Sequence, residues 1–271
     1  MEDLTVVVTG ASSGVGLAAA TAFARGGARV VLVGRDPGRL DAAVDQVRAT
    51  GGPAPDSFRA DFARLAEVRA LASYLLDRYP TIDVLANNAG GIVSSYARTV
   101  DGFEMTIQTN HLAPFLLTNL LRDRLRGGRV VNTASDAHRR GLVDPDDLVG
   151  GAGRYDRWSA YGASKGANIL FAAEAGRRWP DVLSTSYHPG VVRTRFGSDS
   201  PLLAAFYRVA PFLTTPEGGA DTMVWLATAP AADIAQGGYY VKRRPRRPAP
   251  KVADPQFAAR LWEASAKAVG L

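Results

Sequence analysis

Short apolar, β-branched runs alternate along the chain with longer stretches of helical period. LTVVVT (4–9), ARVVLV (28–33), IDVLAN (82–87), GRVVNTA (128–134) and VLSTSY (182–187) are continuous enough to be strands buried on both faces. DSFRAD (56–61) is a weaker strand between two helices, and GGYYVK (237–242) is a last strand. Strands that alternate with helices predict βαβ units. The expected fold is therefore α/β, a doubly wound parallel sheet of about seven strands with helices on both faces, in one domain over 1–271. DPQFAARLWEASAKAVG (254–270) reads as a terminal helix, with Asp254 as its cap and Pro255 in its first turn.

Composition narrows this picture little. Of 271 residues, 46% are hydrophobic and 21% charged, an ordinary globular balance. There is no cysteine, so disulfides and thiolate metal sites are excluded, and three scattered histidines show no ligand spacing, so no metal is expected. No apolar run approaches the roughly 18 residues of a membrane helix, and MEDLTVVVTG is unlike a signal peptide. The expectation is a cytoplasmic protein without a transmembrane segment.

Charge is more informative. The net charge is +6, and Lys242, Arg243, Arg244, Arg246, Arg247 and Lys251 supply all of it. The rest of the chain sums to zero, which argues against a nucleic-acid-binding face. The prolines of KRRPRRPAPK predict an extended basic loop. Such a loop is either simply solvated or a contact for an anionic ligand, partner or membrane surface.

TVVVTGASSGVGLAAATAFARGG runs from a strand through Gly10, Gly14 and Gly16 into a helix. Glycines at such a turn allow close backbone approach, and the helix N-terminus offers free N–H groups to a pyrophosphate. Ser12 and Ser13 add hydroxyls. The second strand ends in Gly34 and Arg35, where an NAD-binding chain usually places an acid for the ribose 2′-hydroxyl. A small residue followed by a guanidinium suits a 2′-phosphate, which favours NADP(H) over NAD(H). Asp36 complicates this reading: it either caps the next helix before Pro37 or faces inward and favours NAD(H). Asp61 ends the third strand, where it could meet the adenine amino group. NNAG (87–90) ends the fourth, and reads equally as an ordinary turn or as backbone lying against a cofactor.

WSAYGASKGANILFAAEAGRRW has helical period. Tyr161 and Lys165 then lie about 40° apart around the axis and about 6 Å along it, on one face. A nearby ammonium favours the phenolate and lowers the tyrosine pKa, which suits proton exchange with a carbonyl or alcohol oxygen. Lys165 is one of four lysines, against 28 arginines. By itself the pair reads more readily as a surface lysine beside a packed tyrosine.

Taken together, T-G-x-x-x-G-x-G at 9–16, N-N-A-G at 87–90 and Y-x-x-x-K at 161–165 resemble the short-chain dehydrogenase/reductase family. TNHLAPFLLTNLL, YGASKGANILF, YHPGVVRT and the tail ARLWEASAKAVGL are similar to its retinol dehydrogenase-like and protochlorophyllide reductase-like division. The resemblance implies a Rossmann-type fold and an NADP-dependent oxidoreductase that interconverts a carbonyl and an alcohol. It implies Tyr161 as acid/base, and Lys165 as the residue that tunes it and holds the nicotinamide ribose. It also implies Ser135 as donor to the substrate oxygen and Asn110 as the orderer of a relay water. Cofactor contacts are implied at Gly10, Ser12, Ser13, Gly14, Val15, Gly16, Arg35, Asp61, Phe62, Asn88, Ala89, Gly90, Tyr161, Lys165, Pro189, Gly190, Val192 and Thr194, the last against the carboxamide. The chain reads TAS where many members read VSS, which leaves Thr133 as a minor alternative to Ser135.

A lid is implied at 195–215. Its Leu202, Leu203, Phe206, Tyr207, Phe212 and Leu213 suit a lipophilic aldehyde, ketone or alcohol, or else pack a short helix on the body. His138, Arg139 and Arg140 could border the pocket, and His188 reads as structural. Retinoid activity is not implied, because the membrane anchor of some retinol dehydrogenases is absent. Two other classes stay open: a non-catalytic NADP-binding sensor or scaffold, and an epimerase or lyase on the same fold. Homo-oligomers are common in the family.

Overall fold

The structure, a computed structural model, describes residues 1–150, 155–192 and 213–271. Seven strands run parallel: β1 (Thr5–Thr9), β2 (Arg29–Gly34), β3 (Asp56–Arg59), β4 (Val84–Asn87), β5 (Arg129–Thr133), β6 (Leu183–His188) and β7 (Tyr239–Val241). An eighth, β8 (Arg244–Pro245), pairs antiparallel to β7. The spatial order is β3-β2-β1-β4-β5-β6-β7-β8. The chain moves outward from β1 to β3, then returns to lay β4 against the other side of β1. That reversal opens a crevice beyond the carboxyl ends of β1 and β4, where doubly wound sheets take their ligands.

The apolar runs become strands covered on both faces. Val7, Val31, Leu85 and Val130 point to one side. Helices α3 (Leu65–Arg78), α5 (Ala113–Leu120), α6 (Arg157–Arg178) and α8 (Pro255–Val269) cover that side. Val6, Val8, Val30, Leu32, Val84 and Val131 point to the other, under α1 (Gly14–Arg25), α2 (Pro37–Arg48) and α7 (Pro216–Thr228). Phe23, Met223 and Tyr187 fill the second core without exposure. Asp254 caps α8 as expected, accepting from Gln256 N at 2.8 Å.

Two features depart from the expectation. A short helix α4 (Met105–Ile107) runs into α5 through a π-turn at Gln108–Leu112, with Ala113 N–H donating to Gln108 O. Pro114 explains the break, since it has no N–H for the Asn110 carbonyl four residues back. The basic segment also does not begin as an extended loop. Tyr240 pairs with Pro245 and Val241 with Arg244, so Lys242 and Arg243 form a two-residue hairpin loop. Both have left-handed φ, 51° and 58°, as a type I′ turn requires. Neither is the usual Asn or Gly. Arg243 N–H donates to Thr222 Oγ1 at 3.2 Å and its guanidinium grips Asp221 through both nitrogens, which holds the turn. This hairpin supplies the strand beyond the seven expected. Among the described residues no helix is long and apolar enough to cross a membrane.

Candidate active site

The crevice at β1 and β4 is built from backbone. Gly10 and Gly14 have φ of 66° and 55°, accessible at little cost only to glycine. A β-carbon on Gly10 would lie 2.8 Å from Ala89 Cα, and one on Gly16 would lie 2.3 Å from Gly10 O. The turn, the start of α1 and the loop after β4 are therefore packed in direct contact. Thr9 locks them: its hydroxyl accepts from Asn88 N at 2.9 Å and Ala89 N at 3.0 Å. Asn88 Nδ2 donates to Thr9 O at 3.0 Å. Ser13 stands at the N-cap of α1 without a side-chain cap bond, so the helix's first N–H groups are left for an anion. This cradle, free of side-chain bulk, fits a dinucleotide pyrophosphate.

Around it stand the other expected contact residues. Gly34 is buried, and a β-carbon there would sit 3.2 Å from Ser12 Cβ, so the smallness of Gly34 first of all admits Ser12. Arg35 is exposed. Arg59 is the register partner of Gly34 on β3, and its Nε donates to Arg35 O at 3.1 Å. A second guanidinium thus reaches the same edge. Asp36 caps α2, accepting from Arg39 N at 2.8 Å, the outward role weighed for it above. One oxygen of Asp61 accepts from Ala63 N at 3.0 Å. Phe62 is buried in the first core, and its carbonyl accepts from Gln108 Nε2 at 3.3 Å. Val15 and Val192 converge on Gly219 of α7, where a β-carbon would meet them at 2.9 and 2.8 Å, with Pro189 O at 3.5 Å. Gly190 has φ of 86°, and Thr214 N–H donates to Val191 O at 2.9 Å. Thr194 and most of the expected lid lie outside the described residues.

The residues expected to handle the proton meet at the carboxyl end of β5. Asp156 caps α6, accepting from Ser159 N at 2.6 Å, and so fixes the register of Tyr161 and Lys165. Lys165 is buried, and its Nζ donates to Thr133 O at 3.0 Å and lies 5.5 Å from the centre of the Tyr161 ring. That acceptor is a neutral carbonyl, and burial lowers the Lys165 pKa to about 8. A β-carbon on Gly90 would lie 2.6 Å from Asn110 Oδ1 and 3.6 Å from Lys165 Nζ, so glycine keeps that space open. Asn110 sits in the π-turn without exposure. Its Nδ2 donates to Gly91 O and Ser164 Oγ, both at 2.9 Å, and its Oδ1 accepts from Gly91 N at 2.9 Å. The amide is thus occupied in tying the loop after β4 to α6.

Ser135 follows β5 and caps a 3₁₀ turn, Asp136–Arg139, accepting from Ala137 N at 3.2 Å. Its hydroxyl proton remains available to donate. The run of small residues in YGASKG explains how α6 approaches this turn, because a β-carbon on Gly162 would lie 2.4 Å from Ala137 O. The Thr133 hydroxyl is directed at Tyr187 Oη, 3.5 Å away, which sets it apart from Ser135. His138 bonds Ser135 O through Nδ1 at 2.7 Å, and its Nε2 accepts from Ala249 N–H at 3.0 Å. The proton therefore resides on Nδ1, and the ring clasps the Ser135 turn to the chain beyond the hairpin. Thr9, Ser164 and Arg59 were not singled out from the sequence. Only Thr9 carried a signal there, as the residue that opens the glycine motif. Among the described residues no cluster of three metal-ligating side chains occurs.

A glycine cradle at the switch point and a Tyr–Lys pair beside a strand-end serine define a nicotinamide-dependent oxidoreductase fold, and the chain belongs to the short-chain dehydrogenases, whose family model matches residues 4–201. Its relatives interconvert carbonyls and alcohols, and so does this class of protein. The chain is 58% identical to a protein of Streptomyces sp. (strain C5) provisionally assigned as a daunorubicin C-13 ketoreductase, over 98% of this chain and 92% of the relative. It is 38% identical to mouse retinol dehydrogenase 14, over 100% of this chain and 87% of that one. A crystal structure of an uncharacterised protein from Mycobacterium paratuberculosis superposes with a TM-score of 0.82 at 33% identity, covering 99% of this chain and 94% of that chain.

Proposed function

We propose that this chain is an NADP-dependent reductase of lipophilic ketones, with Tyr161 as proton donor. The observation that carries the reading is the buried Lys165, which donates to the neutral Thr133 carbonyl and lies one helical turn from Tyr161. When bound, the cofactor supplies hydride to the carbonyl carbon. The protein's part is to hold the carbonyl oxygen and manage the proton. Ser135 Oγ–H donates to that oxygen, and so does Tyr161 Oη–H. As negative charge gathers on the oxygen, both donors become more stabilising than in the ground state. Tyr161 then releases its proton, and the Lys165 ammonium stabilises the phenolate left behind. Asn110 acts as a positioning residue that keeps the loop at 90–91 and α6 in register. Arg35 and Arg59 favour a 2′-phosphate over a free 2′-hydroxyl. The Streptomyces relative favours a bulky natural-product ketone over a small one.

The test is cofactor oxidation with NADPH and with NADH against lipophilic ketones that include daunorubicin, with Tyr161→Phe alongside. NADPH-dependent turnover that falls about 10²–10⁴-fold in the variant is expected, the usual contribution of one general acid. Equal turnover in Tyr161→Phe would remove the proton-donor role. A preference for NADH would remove the roles of Arg35 and Arg59. Tight cofactor binding with no turnover would return the sensor and epimerase readings to favour.

A further inference from the structure

The basic residues of the segment singled out in the sequence are exposed, and two of them, Arg246 and Arg247, border a cleft. A cleft of about 440 Å³ lies between the 3₁₀ turn that follows Ser135 and the hairpin at the far edge of the sheet. Asp136, Arg139, Tyr239, Val241, Arg246 and Arg247 line it. Three guanidiniums and one carboxylate give the lining a net charge of +2. The carboxylate is already engaged, since Asp136 Oδ1 accepts from Tyr239 Oη at 2.8 Å and Oδ2 lies 3.7 Å from His188 Nε2. The guanidiniums are not. Among the described residues, neither Arg139 nor Arg246 nor Arg247 forms an ion pair, although many other arginines of the chain do.

The cleft is also a built one. Arg246 N–H donates to Tyr239 O at 2.8 Å, so the chain that leaves the β8 strand toward the two arginines is still held to β7. The left-handed turn at Lys242–Arg243 and its grip on Asp221 hold one end of that segment. The bond from Ala249 N–H to His138 holds the other and ties it to the Ser135 turn.

We infer that this cleft is a substrate subsite for an oxyanion, taking a carboxylate or phosphate group at the far end of the carbonyl substrate. Position separates it from the cofactor site. β7 lies three strands from β4 and four from β1, which is about 14–19 Å at the usual strand spacing, so the cofactor's own phosphates belong elsewhere. It is two strands, about 10 Å, from β5, whose end carries Ser135. A lipophilic body of that length with a ketone at one end and an acid at the other would span the two. Guanidinium forks suit either oxyanion, because each accepts paired hydrogen bonds. The inference rests on the reductase reading for the far end of the substrate, and its own chemistry is separable from it.

The experiment compares ω-oxo carboxylates of increasing length with the corresponding ω-oxo phosphate monoesters and carboxylic methyl esters. Wild type is set against Arg246→Ala/Arg247→Ala, whose backbone bond to Tyr239 survives. The acids are expected to exceed the esters in kcat/KM by about tenfold or more at a preferred length. The variant should lose that preference while still turning over the esters, and the same preference should fade at high ionic strength. Comparison of the carboxylate and phosphate series shows which oxyanion the cleft selects. Equal kcat/KM for acids and esters in wild type would overturn the inference, as would a preference that survives in the variant. If none of the carbonyls is turned over, the reductase reading falls by itself. Calorimetry with suberate and butyl phosphate, with NADP⁺ in excess to fill the phosphate cradle, then decides the cleft. Binding that weakens at least tenfold in the variant supports the subsite, and identical titrations in the two proteins overturn it.

Discussion

At pH 7 the ammonium of Lys165 is held in a place that disfavours it. Burial lowers its pKa from 10.5 to about 8, so between those values the unfolded chain binds the extra proton and stability rises with pH. Below about pH 8 the full cost is present. It amounts to roughly 3 kcal/mol. Lys165→Met removes that cost together with one hydrogen bond to Thr133 O, to which Asn168 Nδ2 still donates at 3.1 Å. The variant should therefore be more stable at pH 7 by about 1–2 kcal/mol while carbonyl reduction is lost, with the gain shrinking toward pH 10. Thermal melts at the two pH values check this, and a less stable variant at pH 7 would contradict it. Lys165 was legible in the sequence because it breaks a habit of writing arginine and falls one helical turn from Tyr161. Ser164 was not: its work is to accept from Asn110 and donate to Tyr161 O at 2.8 Å, a matter of which side of α6 meets the π-turn. The alternatives for Asp36 were legible, since an acid before proline is an N-cap pattern, but only the fold chose between them.

Among the elements, α8 has the largest structural task for its length. Trp262 packs its ring against Phe115 at 5.0 Å, Trp179 at 5.1 Å and Phe171 at 5.7 Å, while Arg178 lies over it at 4.8 Å. Leu261, Trp262 and Val269 are buried in the first core. Each such side chain contributes about 1.5–3 kcal/mol on burial. Removal of 254–271 should uncover an aromatic face and yield a chain that melts at least 10 °C lower or self-associates. Light scattering after size exclusion, with a melting curve, checks this; an unchanged size and melting curve would refute it. The sequence announced α8 through its cap and period, yet gave no sign of the face it would cover. The hairpin was hidden for a different reason. Lys242–Arg243 lacks the Asn or Gly that marks a left-handed turn, and the prolines around it favour an extended reading. The π-turn carried a signal in Pro114, whose missing N–H interrupts a helical ladder wherever it falls inside one.

Across the molecule, the doubly wound parallel sheet was legible because continuous apolar runs separated by helices leave few other arrangements, whereas the order of its strands came only from the fold. The burial of three histidines was not, because a histidine's place depends on what packs over it. His111 is enclosed between the π-turn and α8, with Nε2 2.9 Å from Ser265 Oγ, and burial lowers its pKa to about 4. Burial lowers His138 and His188 as well. As pH falls from about 6.5 toward 4, the unfolded chain gains protons that the folded chain refuses, so stability declines across that window. Denaturant titrations from pH 7 to pH 4 should show a loss of up to about 3 kcal/mol from His111 alone. His111→Gln should flatten the slope, and an unaltered slope would reject the assignment. The bracing of α6 has a further consequence, for the order in which the molecule can be made. A β-carbon on Gly166, one residue after Lys165, would touch Val252 at 3.2 Å, and Ala249 clasps the turn of Ser135. A nascent chain that has left the ribosome only as far as residue 245 would already own Tyr161, Lys165 and Ser135, yet neither brace. Synthesis from the N-terminus would then deliver the whole sheet first, and a braced Tyr161–Lys165 helix only once residues 249–252 have followed.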